Sequence, residues 1–393
     1  MPPRGRKKSE TSRSSRLPAS PVPDASAPRR SAKRSRDLLA RAERLFGLGR
    51  YAAAIETWKR ILQEGDAPAG ALWIRIGNAN ELLSNLPKAR AAYRRAASIQ
   101  PGDPHAWFNL GNAHAKGKDL RRALPLYRRA LALDPGMQAA WNNLGNAHER
   151  SGNLDEATRC YRRAAESTDP MYQSLYNYGN MLSHSGALEE ALRTYRRSIG
   201  LCRDDARVWY NAGCACSGLG RHPDAVRCFE TAVGLDPKDS AAWYNLGNSF
   251  TALGKSPEAR RAYRRALQLD GQDFEAWNNL GNAYAGENGS SRAVQCYLRC
   301  LRINPRYAPA WNNLGNAYRL RGRRREALRC YRKALAVPAR PRLPGLPDRT
   351  TMLSVLDGIR HTLLSLPAAA RRAGRPHRGS RHARSRSRVS SSF

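Results

Sequence analysis

The sequence predicts an all-α protein, a solenoid of stacked helical hairpins. Three observations predict it: an exact repeat, a constant period, and helical spacing of apolar residues within each period. The octet "AWNNLGNA" occurs letter for letter at Ala140 to Ala147, Ala276 to Ala283 and Ala310 to Ala317. These are beats of a 34-residue period that runs for eight units, from Gly70 to Pro341, without an insertion.

Within a unit, the first helix is marked by tryptophan at Trp73, Trp107, Trp141, Trp209, Trp243, Trp277 and Trp311, with Leu175 at the one vacant beat. Glycine follows four residues later at every beat, from Gly77 through Gly145 and Gly247 to Gly315. Trp141, Leu144 and His148 then share one helix face. The second helix is marked by an alanine and, four residues on, an aromatic: Tyr93, Tyr127, Tyr161, Tyr195, Phe229, Tyr263, Tyr297 and Tyr331. Ala157, Tyr161 and Ala164 again fall on one face, and small residues let the paired helices approach closely.

Turn residues separate the two. Gly152, Gly186, Gly220, Gly254 and Gly322 sit where the first helix must stop, and glycine accepts the left-handed conformation that helix ends often use. Pro87, Pro223 and Pro257 follow at the start of the second helix, where a missing N–H costs nothing. Pro125 falls deeper, and a kink or a late helix start is expected there. A weaker, one-residue-slipped unit with Leu38, Ala42, Ala54 and Trp58 precedes the eight. Hairpins this short cannot bury their own faces, so they must stack and their ends need covering. The segment Asp348 to Leu366, with Leu353, Leu356, Ile359 and Leu363 near helical spacing, suits a closing helix.

This combination of tryptophan, glycine, alanine, aromatic and closing Asp-Pro resembles the tetratricopeptide repeat. The resemblance implies a right-handed superhelical solenoid of about nine repeats over residues 35–341. A linker and closing helix are expected at 342–367, between basic tails at 1–34 and 368–393.

The chain has 68 Lys or Arg against 32 Asp or Glu, a net charge of +36. Residues 1–36 hold +9 and residues 338–393 hold +10, leaving +17 for the array. Both ends are rich in Ser, Pro and Arg and poor in aromatics, a composition that does not fold by itself. Inside the array, the pairs Arg94 and Arg95, Arg128 and Arg129, Arg162 and Arg163, Arg196 and Arg197, and Arg264 and Arg265 directly follow the second-helix aromatic. They suit either a solvated convex face or a track for nucleic acid or an anionic surface.

Catalytic and metal chemistry find no pattern. No phosphate-cradling glycine loop is present, and His114 and His148 occupy a repeating apolar phase. Sugar-transferring enzymes with such arrays append a large catalytic domain, and only 52 residues follow Pro341. Cys160, Cys228, Cys296 and Cys330 share one phase of the repeat, and no two cysteine pairs converge as a zinc site requires, so no cofactor or metal is expected. There is no apolar run long enough to cross a membrane and no secretory leader. The expected location is cytoplasmic, with the basic clusters "RGRKK" and "RRSAKRSR" also suiting nuclear import or an organelle transit peptide.

The candidate binding residues are asparagines. They recur three apart at Asn109 and Asn112, Asn143 and Asn146, Asn177 and Asn180, Asn245 and Asn248, Asn279 and Asn282, and Asn313 and Asn316, while Asn211 stands opposite Cys214 and Asn78 opposite Arg75. Their face is not that of Trp, Leu and Gly, and is expected to look into the concave groove. An amide offers a donor and an acceptor, the complement of a peptide bond. The arrays of O-GlcNAc transferases, which this pattern resembles, grip an extended polypeptide through such a ladder. The same amides equally suit hydrogen bonds between repeats, and the sequence leaves both roles open. Repeats that clamp a chaperone's terminal carboxylate place lysines beside such asparagines; here those positions hold Phe108, Asn142, Tyr176, Tyr244, Asn278 and Asn312. An extended protein segment with aromatic or small apolar side chains is the expected partner, with nucleic acid or acidic assemblies as the alternative.

Overall fold

The computed structural model describes residues 27–64, 68–286, 291–337 and 358. The described residues form eighteen helices and no strand. They divide into two compact units, with the boundary in the chain between Pro170 and Met171.

The first unit holds four hairpins: α1 (Ala27–Gly47) with α2 (Tyr51–Glu64), α3 (Ala69–Leu82) with α4 (Leu86–Ile99), α5 (Pro104–Lys116) with α6 (Leu120–Leu133), and α7 (Gln138–Arg150) with α8 (Leu154–Ala165). The second holds five: α9 (Tyr172–His184) with α10 (Leu188–Leu201), α11 (Ala206–Gly218) with α12 (His222–Leu235), α13 (Ser240–Ala252) with α14 (Ser256–Leu269), α15 (Phe274–Ala285) with α16 (Ser291–Ile303), and α17 (Ala308–Leu320) with α18 (Arg324–Ala336). In each unit a helix packs on its hairpin partner and on the first helix of the next hairpin. From α3 onward the first helices of successive hairpins within a unit also touch, so they lie side by side along the stack. The slipped unit read from Leu38 and Trp58 is the hairpin α1–α2, and its first helix begins at Ala27, upstream of position 35.

The core of each hairpin is the second-helix aromatic. Tyr93, Tyr127, Tyr161, Tyr195, Phe229, Tyr263, Tyr297 and Tyr331 are all at most 1 % exposed. Each ring lies directly against the glycine of its partner helix. A Cβ at Gly247 would stand 2.6 Å from Tyr263 Cε1, and one at Gly281 2.5 Å from Tyr297 Cε1. The invariant beat of glycine is therefore the space the ring occupies. Trp58 fills the aromatic place in α2, fully buried, with the Phe46 ring 5.7 Å away.

The tryptophans are not core residues in the sense the periodicity suggests. Trp73 through Trp311 are only half-buried. From Trp107 onward the indole Nε1 donates to a carbonyl six residues back, as Trp141 does to Pro135 O at 2.9 Å and Trp277 to Gly271 O at 3.0 Å. The ring thus covers the preceding turn and ties it down, which demands that one edge stay at the surface.

Five turn glycines have φ between 71° and 83°, as the sequence requires. Ser84 and Lys118 take the same conformation, φ 59° and 60°, without a glycine. Side-chain caps start three of the second helices: Asn85, Asp119 and Asn153 accept from the backbone N–H three residues on. The Asp119 cap explains why the late start expected at Pro125 does not occur. α6 begins at Leu120 and holds Pro125 inside it. Pro125 faces solvent, so the carbonyl it leaves without an N–H partner can be hydrated.

The closing helix expected over Asp348 to Leu366 lies outside the described residues except for Gly358. That residue is helical and buried, and a Cβ on it would stand 2.8 Å from Tyr331 Cζ. The tails at 368–393 and 1–26 lie outside the described residues.

Candidate functional site

The repeated asparagines form a relay with the buried tyrosines. In every hairpin that has both, the tyrosine hydroxyl donates to the amide oxygen of the asparagine fifteen residues before it. In the first unit Tyr127 donates to Asn112 at 2.9 Å, while Tyr93 and Tyr161 share their single proton between the amides of Asn78 and Asn146, both at 2.7 Å, and the carboxylates of Glu81 at 3.0 Å and Glu149 at 2.6 Å. In the second, Tyr195 donates to Asn180 at 2.8 Å, Tyr263 to Asn248 at 2.8 Å, Tyr297 to Asn282 at 2.9 Å and Tyr331 to Asn316 at 2.8 Å. A buried hydroxyl without a partner is costly, and the amide removes that cost. Burial pushes the Tyr263 phenol up to about 12, so its proton stays in place as a donor.

In four places the first asparagine of the next hairpin reaches the same oxygen. Asn143 Nδ2 donates to Asn112 Oδ1 at 2.8 Å, Asn211 to Asn180 at 2.8 Å, Asn279 to Asn248 at 3.1 Å and Asn313 to Asn282 at 3.0 Å. Asn211, Asn245 and Asn279 also donate to the hydroxyls of Tyr176, Tyr210 and Tyr244, at 3.4, 3.1 and 3.2 Å, and Asn313 to Asn278 Oδ1 at 3.0 Å. The asparagines therefore stitch neighbouring hairpins together within each unit.

One hairpin departs from the scheme in two places at once. Where the others have tyrosine, α12 has Phe229; where the others have the second asparagine, α11 has Cys214. With no hydroxyl to satisfy, the amide is absent. Asn245 accordingly keeps only its bond to Tyr210. The pairing was legible in the sequence, as a double vacancy in one unit, yet reading the asparagines as a face by themselves passed over it.

The relay leaves one side of the amides unspent. Asn112, Asn180, Asn248 and Asn282 each use the oxygen twice; the NH2 groups of Asn112, Asn180 and Asn282 have no hydrogen-bond partner among the described residues, while that of Asn248 is directed at the Tyr244 hydroxyl. Two acceptor bonds fix the plane of the amide, so these donors are oriented before anything binds. Asn282 is exposed, and the other candidate asparagines, Asn109, Asn143, Asn146, Asn177, Asn211, Asn245, Asn279, Asn313 and Asn316 among them, are half-buried on the first helices. Beside them lie half-buried Phe108 in the first unit and Tyr176, Tyr210 and Tyr244 in the second.

The remaining sequence candidates fall elsewhere. His114 and His148 are 4 % and 5 % exposed, packed in the core. Cys160, Cys296 and Cys330 are buried in helix packing, Cys228 is half-buried, and all eight cysteines are free. The arginine pairs of the second helices are exposed except Arg265, which is half-buried. No described helix is long and apolar enough to cross a membrane.

Comparison with known proteins agrees with this architecture. A tetratricopeptide repeat model matches residues 39–104, 100–138, 108–168, 142–206, 210–274 and 248–306, and a second matches 308–337. No curated protein sequence matches the chain. Among solved structures, the C-terminal part of a TPR repeat-containing protein from Cytophaga hutchinsonii is 14 % identical with a TM-score of 0.50, covering 64 % of this chain and 99 % of that one. YrrB, described as a TPR protein with an unusual peptide-binding site, is 22 % identical with a TM-score of 0.44, over 47 % of this chain and 95 % of its own. MamA is 25 % identical with a TM-score of 0.39, over 40 % and 92 %. With repeat models matching most of its length and each hairpin built on the same ring-on-glycine contact, the chain belongs to the tetratricopeptide repeat family.

Proposed function

We propose that this array, a protein-interaction scaffold by family, holds an extended segment of a protein partner against its first helices. The oriented NH2 groups of the second asparagines donate to carbonyl oxygens of the bound backbone. The observation that carries the reading is the double use of each amide oxygen at Asn180, Asn248 and Asn282, which leaves only donors to offer. Tyr176, Tyr210 and Tyr244 supply flat surfaces for aromatic or small apolar side chains of the segment. No lysine stands beside the asparagines, so a terminal carboxylate is not the feature being read.

Aspartate separates the two duties of these residues. Asn180→Asp, Asn248→Asp and Asn282→Asp together keep an oxygen for each tyrosine and replace each outward donor by an acceptor. An extended peptide selected from a random display library on the intact chain is titrated calorimetrically into both proteins. Each lost net hydrogen bond is worth about 0.5 to 1.5 kcal/mol, so three should weaken binding by roughly one to three orders of magnitude with little change in melting temperature. Unchanged affinity would show that the amides serve only the stack.

A second reading, contact with a polyanion through basic residues, is favoured by one observation. The charge of α16 to α18 is almost uncompensated.

A further inference from the structure

The positive charge of the second unit is concentrated at one end. Residues 240–286 carry five Lys or Arg against four Asp or Glu, whereas residues 291–337 carry twelve against Glu326 alone. The sequence beyond 337 adds twelve more against Asp348 and Asp357. Eleven of the twelve cations in 291–337 are arginine.

Their placement makes them a surface. Arg299 and Arg302 on α16, Arg329, Arg332 and Lys333 on α18, and Arg321 at the turn before α18 are all exposed. None has a carboxylate within ion-pair distance among the described residues, since Glu326 is taken by Arg323 at 2.6 Å. Two of the cations are already ordered: Lys333 Nζ stands 4.3 Å from the Trp311 ring centre, and Arg299 Cζ stands 5.5 Å from that of Trp277. Stacking on a ring that is itself hydrogen-bonded to its turn reduces the side-chain entropy lost on binding.

We propose that the exposed side of α16 to α18 docks the phosphate backbone of a single-stranded nucleic acid without reading its bases. This goes beyond the peptide reading and uses none of its residues. The surface of a folded partner protein intersperses both signs of charge, so it would bring cations that need carboxylates here, and only one exists. A phosphate backbone is uniformly negative. Guanidinium forks match phosphate oxygens in pairs, which ammonium groups do not. A helix of 13 residues such as α16 is about 20 Å long, enough to lie along several successive phosphates of one strand. The tryptophan faces that bases would stack on are covered by Arg299 and Lys333, so recognition stays with the backbone.

The test uses the full chain and a fluorescent poly-U RNA of roughly 30 nucleotides, enough to exceed the site. Anisotropy titrations over a range of salt compare wild type with two variants of equal charge loss. One changes Arg299, Arg329, Arg332 and Lys333 to Gln; the other changes Arg94, Arg95, Arg128 and Arg129 to Gln in the first unit. All eight positions are exposed, and melts of both variants check that the fold is kept. The first variant should lose at least about tenfold in affinity near 0.1 M salt, and its logarithmic salt slope should fall by about 3, at roughly 0.7 per phosphate contact. The second should lose less than about threefold. Equal losses in the two variants would reduce the effect to net charge, and an unchanged first variant would move the contact to the segments beyond 337. Polyglutamate binding as tightly as the RNA would replace the nucleic acid by an acidic protein. Each of these three results overturns the proposal.

Discussion

The Tyr297 hydroxyl donates to Asn282 Oδ1 at 2.9 Å, and Asn313 of the next hairpin donates to the same oxygen at 3.0 Å. One amide thus closes a hairpin and joins it to its neighbour. Tyr297→Phe should cost about 0.5 to 1.5 kcal/mol, the worth of one net hydrogen bond. Asn282→Ala should cost more, about 1 to 3 kcal/mol, because it leaves the phenol buried without an acceptor. The double variant should cost less than the sum of the two, as chemical denaturation of all four proteins would reveal; strict additivity would mean that the pair does not interact.

The natural exception supplies the converse. Phe229 and Cys214 lack both halves of the bond, and Asn245 lacks the acceptor its counterparts have. Cys214→Asn with Phe229→Tyr should restore both links and raise stability by about 1 to 2 kcal/mol, two net hydrogen bonds less some repacking. Phe229→Tyr alone should destabilise, since it buries a hydroxyl where no amide waits.

Glycine substitutions separate space from propensity. Gly247→Ala places a methyl group 2.6 Å from the Tyr263 ring, and the ring is too confined to move. A loss of about 1 to 3 kcal/mol is expected from overpacking. Gly234 is also helical but has nothing within 4 Å of the position a Cβ would take. Gly234→Ala should gain up to about 1 kcal/mol from helix propensity. Thermal melts of the two variants should therefore shift in opposite directions.

The two aromatics of a hairpin should differ in weight. Tyr297 is 1 % exposed, whereas Trp277 is half-buried and held at its edge by a hydrogen bond to Gly271 O. Tyr297→Ala should approach the roughly 3 to 5 kcal/mol of a fully buried ring. Trp277→Ala should fall below that range, with the larger effect on the 270–273 turn, readable as faster amide exchange there.

Acid sensitivity has identifiable sources. Burial holds the His148 imidazole below its ordinary pKa, with the nearby positive charge of Arg128 acting in the same direction. Burial does the same at His114, against the opposing hydrogen bond to Asp119. The unfolded chain takes up these protons near pH 6.5 while the folded chain resists them, so stability falls as pH drops below about 6.5. His148→Leu, which copies Leu182 at the same phase of the next hairpin, should reduce the difference in urea midpoint between pH about 7.5 and about 5.5. An unchanged difference would assign the acid effect to other groups.

The sequence by itself determined the hairpins, their count and their punctuation. A 34-residue period with apolar residues three and four apart has one solution, because local helix geometry decides which side chains share a face. Capping residues and turn glycines act within four or five residues and are equally local. What lay outside that range was decided only by tertiary structure. Trp277 and Tyr297 look alike as periodic aromatics, yet the ring on glycine is sealed by its neighbours while the indole must leave an edge free to hold a turn. The asparagines show the same limit. Their spacing gave a shared face, but the partner of Asn248 is a hydroxyl fifteen residues away and an amide thirty-one residues away. Only the packing of two helices into a hairpin, and of one hairpin on the next, brings those atoms within 3.1 Å, and so only packing decided which side of each amide is spent.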